Sequence, residues 1–167
     1  MAAVEQVAPV LAARGVSLEV VLAGTGRDWG RIQQLVAKAG LESVIHLPGF
    51  LTREAMHQFY GDLDLFVVPR RPAAVSTDTT PLKPLEALAN GRPLLTTDLP
   101  ALRELLSDQA AVRFVPATAS GLAAGILDFA DEPWDPQTAV DLGERSWAHE
   151  VHRYRDVYGH VSSATRG

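Results

Sequence analysis

Thr80-Pro81-Leu82-Lys83-Pro84-Leu85-Glu86-Ala87-Leu88-Ala89-Asn90-Gly91 is the stretch of this sequence best suited to chemistry. Prolines at 81 and 84 pre-set the backbone angle that opens a helix, and a helix's first amides have no intrahelical partner. Aimed into a crevice, such amides suit hydroxyl or phosphate oxygens. Glu86 falls within the first turn or two, where a carboxylate is electrostatically favoured. A carboxylate can also accept two hydrogen bonds from a vicinal diol, the group that ribose presents. The same placement serves equally as a helix-start charge with no ligand. Asp78 lies eight residues earlier and could face the same crevice, or stand as a solvated loop acid. Lys83, Arg70 and Arg71 could approach phosphate or simply face water.

A second set of residues could bring backbone close to a ligand. Gly24-Thr25-Gly26 ends an apolar run and precedes a helical pattern. Two glycines permit close approach, and a helix start favours an anion. The dinucleotide fingerprint needs a third glycine, and Gly30 sits one position too far, so a plain tight turn is the favoured reading of these residues alone. Pro48-Gly49-Phe50 lies in the next such loop, Leu47–Thr52. Of the five histidines only His149 and His152 have a helical metal-ligand spacing, without a third ligand in view. His46 reads as a packed or surface strand residue. Asp98 is suited to cap the helix near Pro100. There is no cysteine, which excludes disulfides, thiolate metal sites and a cysteine nucleophile. No serine sits in a nucleophile elbow.

The elements that must carry these residues alternate. Helical spacing marks Ala2–Arg14, with Pro9 as a kink point and Gly15 as its stop. Leu18–Ala23 reads as a buried strand and Trp29–Ala39 as a helix. Val44–Leu47 is a strand broken by Pro48-Gly49, and Thr52 caps a helix over Arg53–Tyr60. Leu63–Val68 is a strand, Arg70–Thr80 a loop and Pro81–Asn90 a helix closed by Gly91. The chain continues with strand Pro93–Thr96, helix Pro100–Leu106, strand Val112–Val115 and helix Ser120–Ala130. Gln137 to about Tyr158 reads as helical, and residues 161–167 as a flexible tail after a domain over residues 1–160. Five strands alternating with helices predict an α/β fold with a doubly wound parallel sheet of Rossmann-like type. In such sheets ligands bind beyond the carboxyl ends of the strands. That rule selects the loops Gly24–Asp28, Leu47–Thr52, Pro69–Pro84 and Thr96–Pro100.

Composition bounds the partners. The 167 residues suit one domain, and 47% are apolar, enough for a core. The formal charge of −5 argues against nucleic acid, which is usually met by a basic field. No apolar run approaches the roughly 18 residues of a membrane span, and the N-terminus lacks the basic start of an export signal.

Several segments together resemble a known family. Leu22–Gly26, Val44-Ile45-His46-Leu47-Pro48-Gly49, Leu63-Asp64-Leu65-Phe66-Val67-Val68-Pro69, Thr80–Gly91 and Thr97-Asp98 are similar to the C-terminal, donor-binding half of retaining GT-B glycosyltransferases of family 4. The order agrees from about Leu18 to Val115, and the final helix with Trp147 is similar too. The TPLKPLEALANGRP segment is the specific part. The resemblance implies a nucleoside-diphosphate sugar as donor and an acceptor hydroxyl as its target. It implies that Glu86 holds ribose, that Asp78 is a candidate donor-sugar contact, and that no metal is required. Asp78 stands where the family more often has Glu, so its carboxylate is one methylene shorter. Thr80, Pro81, Leu82 and Lys83 would hold sugar and phosphate oxygens, with Pro81 giving no N–H. Gly24, Gly26, Pro48, Gly49 and Phe50 match the family's nucleotide-side loops.

The resemblance also implies what is not in this sequence: a first, central strand with its loop, a diphosphate clamp of Arg and Lys, and an acceptor-binding domain. The strands at Leu18 and Leu63 would then flank a gap, unless they pair directly, Val20 to Phe66. Trp147, Tyr154 and Tyr158 could pack on the missing domain. A cytoplasmic protein is expected, free or at the inner membrane face. A different class remains open beside this one: a non-catalytic nucleotide or nucleotide-sugar binding module. A phosphoacceptor receiver domain, also built of five strand–helix units, fits less well, because its acidic pair and late lysine cannot all be placed.

Overall fold

The computed structural model describes residues 1–72, 81–134 and 151. Asp78, Thr80 and the expected helix 137–158 with Trp147, His149 and His152 therefore lie outside the described residues. The elements run α1 (Ala2–Ala13), β1 (Val20–Ala23), α2 (Trp29–Lys38), β2 (Ile45–Gly49), α3 (Arg53–Asp62), β3 (Phe66–Val68), α4 (Lys83–Ala89), β4 (Leu94–Thr97), α5 (Pro100–Leu106), β5 (Val112–Val115) and α6 (Ala119–Asp131). The alternation expected from the apolar pattern is thus present.

The strands form two parallel sheets, β1-β2 and β3-β4-β5. In the first, Val20 lies opposite Ile45 and Val21 opposite His46. In the second, Phe66, Leu94 and Val112 align across three strands. Among the described residues β1 pairs only with β2, and β3 only with β4. The direct link from Val20 to Phe66 is not formed, so β1 and β3 each keep one unpaired edge.

Helices cover both faces of the larger sheet. Leu88 of α4 and Leu102 and Leu106 of α5 pack with Leu94, Val112 and Phe66 on one side. On the other, α6 lies against β4 and β5. Around the smaller sheet, Val4 of α1 and Val36 of α2 pack with Ile45 and Val20. Further along α1, Val7 and Leu11 meet Ala123 of α6. One helix therefore ties both sheets together, and Arg14 pairs with Asp131 at 2.6 Å at the end of that contact. Pro9 does not interrupt α1; it stands on the exposed side of the helix, away from that packing face.

Some boundaries differ from the sequence reading. β2 runs through Pro48-Gly49 instead of breaking there. Among the described residues it is an edge strand, where a proline without an N–H is tolerated. The helix expected over Pro81–Asn90 begins at Lys83, because Leu82 serves as its cap and Pro84 occupies its first turn. Thr52 caps α3 as expected, accepting from the amide of Ala55 at 3.3 Å.

Candidate functional site

The candidate residues gather at the carboxyl ends of the strands in two groups. The first joins the loops after β1 and β2. The amide of Gly24 donates to the carbonyl of Gly49 at 2.7 Å. Gly24 has φ of +128° and Gly49 +78°, conformations that L side chains rarely adopt. Both glycines are therefore required by the turns themselves. Beside them lies an open depression of about 240 Å³, lined by Leu22, Gly24, Thr25, Gly26, Trp29 and Ile32. Its walls are chiefly apolar. Phe50, on the neighbouring loop, is 76% exposed.

The second group surrounds Glu86. Strand β3 delivers the chain to the carboxyl edge of the larger sheet, and α4 returns from it. That edge is knitted by buried hydroxyls. Thr96 donates to the carbonyl of Val68 at 3.3 Å, and Thr97 to that of Arg70 at 2.8 Å. The Arg70 amide donates back to Thr97 at 3.1 Å. Glu86 stands in the first turn of α4, and the residue is exposed. Its Oε2 accepts a hydrogen bond from the Tyr60 hydroxyl at 2.9 Å. Leu82 and Lys83 are exposed at the start of the same helix, and Pro84 is buried beneath it. Pro81 is half-buried.

Tyr60 was not singled out by sequence reasoning. It occupies the last turn of α3 and is only 4% exposed. Burial pushes its ionisation well above the usual tyrosine range, and the bond to Glu86 and that carboxylate's charge push it further. Its position on an amphipathic face reads simply as core, and nothing local marks a partner 26 residues away.

Asp98 corrects the sequence reading. It does not cap α5, whose cap is Leu99 without a side-chain bond. Instead both its oxygens accept from Arg103 at 2.7 Å, a bidentate pair. That pair holds the Asp98 carboxyl below its usual range. His46 is exposed and lies 3.5 Å from Glu19. Among the described residues no three His, Asp or Glu side chains are grouped to hold a metal ion. No described helix is long and apolar enough to cross a membrane.

Parallel strands, covering helices and a candidate site at the carboxyl edge define a Rossmann-like α/β domain of the kind found in GT-B enzymes. The chain belongs to the family described as Glycosyl transferases group 1, whose profile matches residues 2–132. A Salmonella typhimurium protein named as a colanic acid biosynthesis glycosyltransferase, WcaL, is 30% identical over 71% of the chain. The amylovoran biosynthesis glycosyltransferase AmsK of Erwinia amylovora is 26% identical over 71%. The lipopolysaccharide core biosynthesis mannosyltransferase LpsB of Rhizobium meliloti is 40% identical over 46%. The match spans 30% of the length of each of the first two relatives and 20% of the third.

Two solved structures share the fold. Sucrose-phosphate synthase from Thermosynechococcus elongatus superposes with a TM-score of 0.64 at 20% identity, over 98% of this chain and 43% of its own. The pneumococcal O-GlcNAc transferase GtfA, solved with UDP and GlcNAc, gives 0.63 at 20% identity, over 78% of this chain and 25% of its own.

Proposed function

We propose that this chain is the donor-binding half of a retaining glycosyltransferase of family 4, and that it binds a nucleoside-diphosphate sugar at the carboxyl edge of the larger sheet. The observation that carries the reading is Glu86. It is an exposed carboxylate in the first turn of a helix that starts at that edge, within the most family-specific segment of the sequence. In this reading Glu86 accepts the two ribose hydroxyls. The amides of Leu82 and Lys83 at the helix start, with Thr80, face sugar and phosphate oxygens and stabilise the leaving diphosphate. Asp78 contacts the donor sugar. The loops at Gly24–Gly26 and Pro48–Phe50 take the nucleotide side. No metal takes part.

The unpaired edges of β1 and β3 support a further parallel strand between them, on another segment or another polypeptide. An acceptor-binding domain would complete the enzyme. The relatives' names, which give colanic acid, amylovoran and lipopolysaccharide core biosynthesis, support a bacterial polysaccharide or lipopolysaccharide as the class of acceptor, and in this reading the acceptor lies at the inner membrane face.

Calorimetric titration with UDP, GDP and their sugars tests the reading. One of them should bind, and Glu86→Ala should weaken it roughly tenfold or more, because a charged hydrogen-bond acceptor is lost. Binding of none, or an affinity indifferent to Glu86→Ala, overturns it.

A further inference from the structure

The bond between Tyr60 and Glu86 is built more firmly than a chance surface contact. The Tyr60 ring is almost fully covered and packs against Phe59 and Phe66, with ring centres 5.8 and 5.6 Å away. Its hydroxyl is therefore fixed by the core, not by the ligand side. The helices that carry the two residues are tied at a second point. Arg92, just beyond α4, donates from Nη1 to the carbonyl of Leu63, just beyond α3, at 2.9 Å. Asn90 also closes the end of α4, its amide nitrogen donating to the Glu86 carbonyl at 2.7 Å.

The direction of the bond follows from the groups. A carboxylate only accepts, so the phenol donates. The phenol keeps its proton at any physiological pH, because burial and the neighbouring carboxylate oppose its ionisation. An exposed glutamate without such a tether samples many rotamers and loses that freedom when a ligand fixes it. Among the described residues no other group bonds to that carboxylate, so acceptor capacity remains on Oε1 and on the second lone pair of Oε2. Two vicinal hydroxyls need no more.

We propose that Tyr60 is a positioning residue, which holds the Glu86 carboxylate in the orientation that receives two vicinal ribose hydroxyls and so sets the preference for ribonucleotide over deoxyribonucleotide. This rests on the reading of Glu86 as the ribose-holding group. The role is pre-organisation: the side-chain ordering that binding would otherwise require is completed in the free protein.

The test compares UDP and GDP with 2′-deoxy-UDP and 2′-deoxy-GDP, by calorimetry on the intact chain. Tyr60→Phe keeps the packed ring and removes only the hydroxyl. It should weaken the ribonucleotide roughly five- to tenfold while the deoxy form changes by less than about twofold. In a Glu86→Ala background the same substitution should change neither. Where Phe does not fold, Tyr60→Met fills the space without a hydroxyl and gives the same readout. Equal weakening of both ligands means a packing role only and overturns the proposal, as does an unchanged ribonucleotide affinity. The parent reading fails by a different pattern: Glu86→Ala that retains the wild-type preference. Wild-type chain that binds none of the four overturns both.

Discussion

Strands β1 and β4 are both four-residue parallel strands, Val20-Val21-Leu22-Ala23 and Leu94-Leu95-Thr96-Thr97, yet they meet different surroundings. All of β4 is buried, with Leu94 and Leu95 wholly inaccessible. It has a strand on each side and helices on both faces. In β1 two of four residues are exposed, and Leu22 remains 38% accessible. Among the described residues it has one strand neighbour, and the face away from α2 carries the exposed His46 beside Val21. The run at β1 reads as buried because a continuous apolar strand signals burial on two faces. What the run does not encode is the neighbour across the backbone edge. Burial in a parallel sheet is a joint product of helices above and below and of strands at left and right.

The comparison is sharpest in core truncations. Leu94→Ala should cost about 2–5 kcal/mol, because it opens a cavity in a site that cannot collapse. Leu22→Ala removes surface that is already partly in water and should cost less than about 1 kcal/mol. Denaturant unfolding of the two variants reads the difference. Equal costs would mean that β1 is buried in solution, either by a partner or by closure of the two sheets.

A second measurement addresses how the halves are joined. Leu11 lies in the contact of α1 with α6, almost fully buried. Leu11→Ala should cost about 2–4 kcal/mol by the same cavity argument. It should also lower amide exchange protection in β1 and β2 before it does so in β3, β4 and β5, since α1 is the smaller sheet's tie to the larger. A uniform loss of protection would mean that the two halves unfold as one unit.

The architecture was legible in the sequence because period and punctuation are local. Apolar runs stopped by Gly24, Pro69 and Pro116 located the strands, and Thr52 announced its helix. Boundaries slipped where tertiary context decided. β2 continues through Pro48 because it lies at an edge, and Asp98 serves Arg103 because a bidentate partner outweighs a cap. Of the candidate site, only part was legible. Glu86 was marked by its place after two prolines in a distinctive segment. Tyr60 was not, because a contact across 26 residues leaves no spacing to read, and a helical tyrosine on a covered face looks like core. The unpaired edges of β1 and β3 came from the resemblance to a family, and no periodicity could have supplied them.

The smallest effect expected is that of the Asp98–Arg103 pair, which belongs to the well-formed half and yet sits in water. Its geometry is good, with both oxygens at 2.7 Å and Arg103 stacked over the Phe114 ring at 4.1 Å. Both side chains are nonetheless about half exposed, so solvent screens most of the attraction. Because the fold depresses the Asp98 value, the pair's contribution is present above the ordinary aspartate value of about 3.9. It fades as pH falls through the lower folded-state value. Asp98→Asn should therefore shift the melting temperature by no more than about 1–2 °C at pH 7. The shift should vanish in acid, and it should shrink in high salt. A larger shift that survives salt would place Asp98 among the groups that hold the carboxyl edge together, beside Thr96 and Thr97, and would extend the rigid half of the molecule one residue further toward the site.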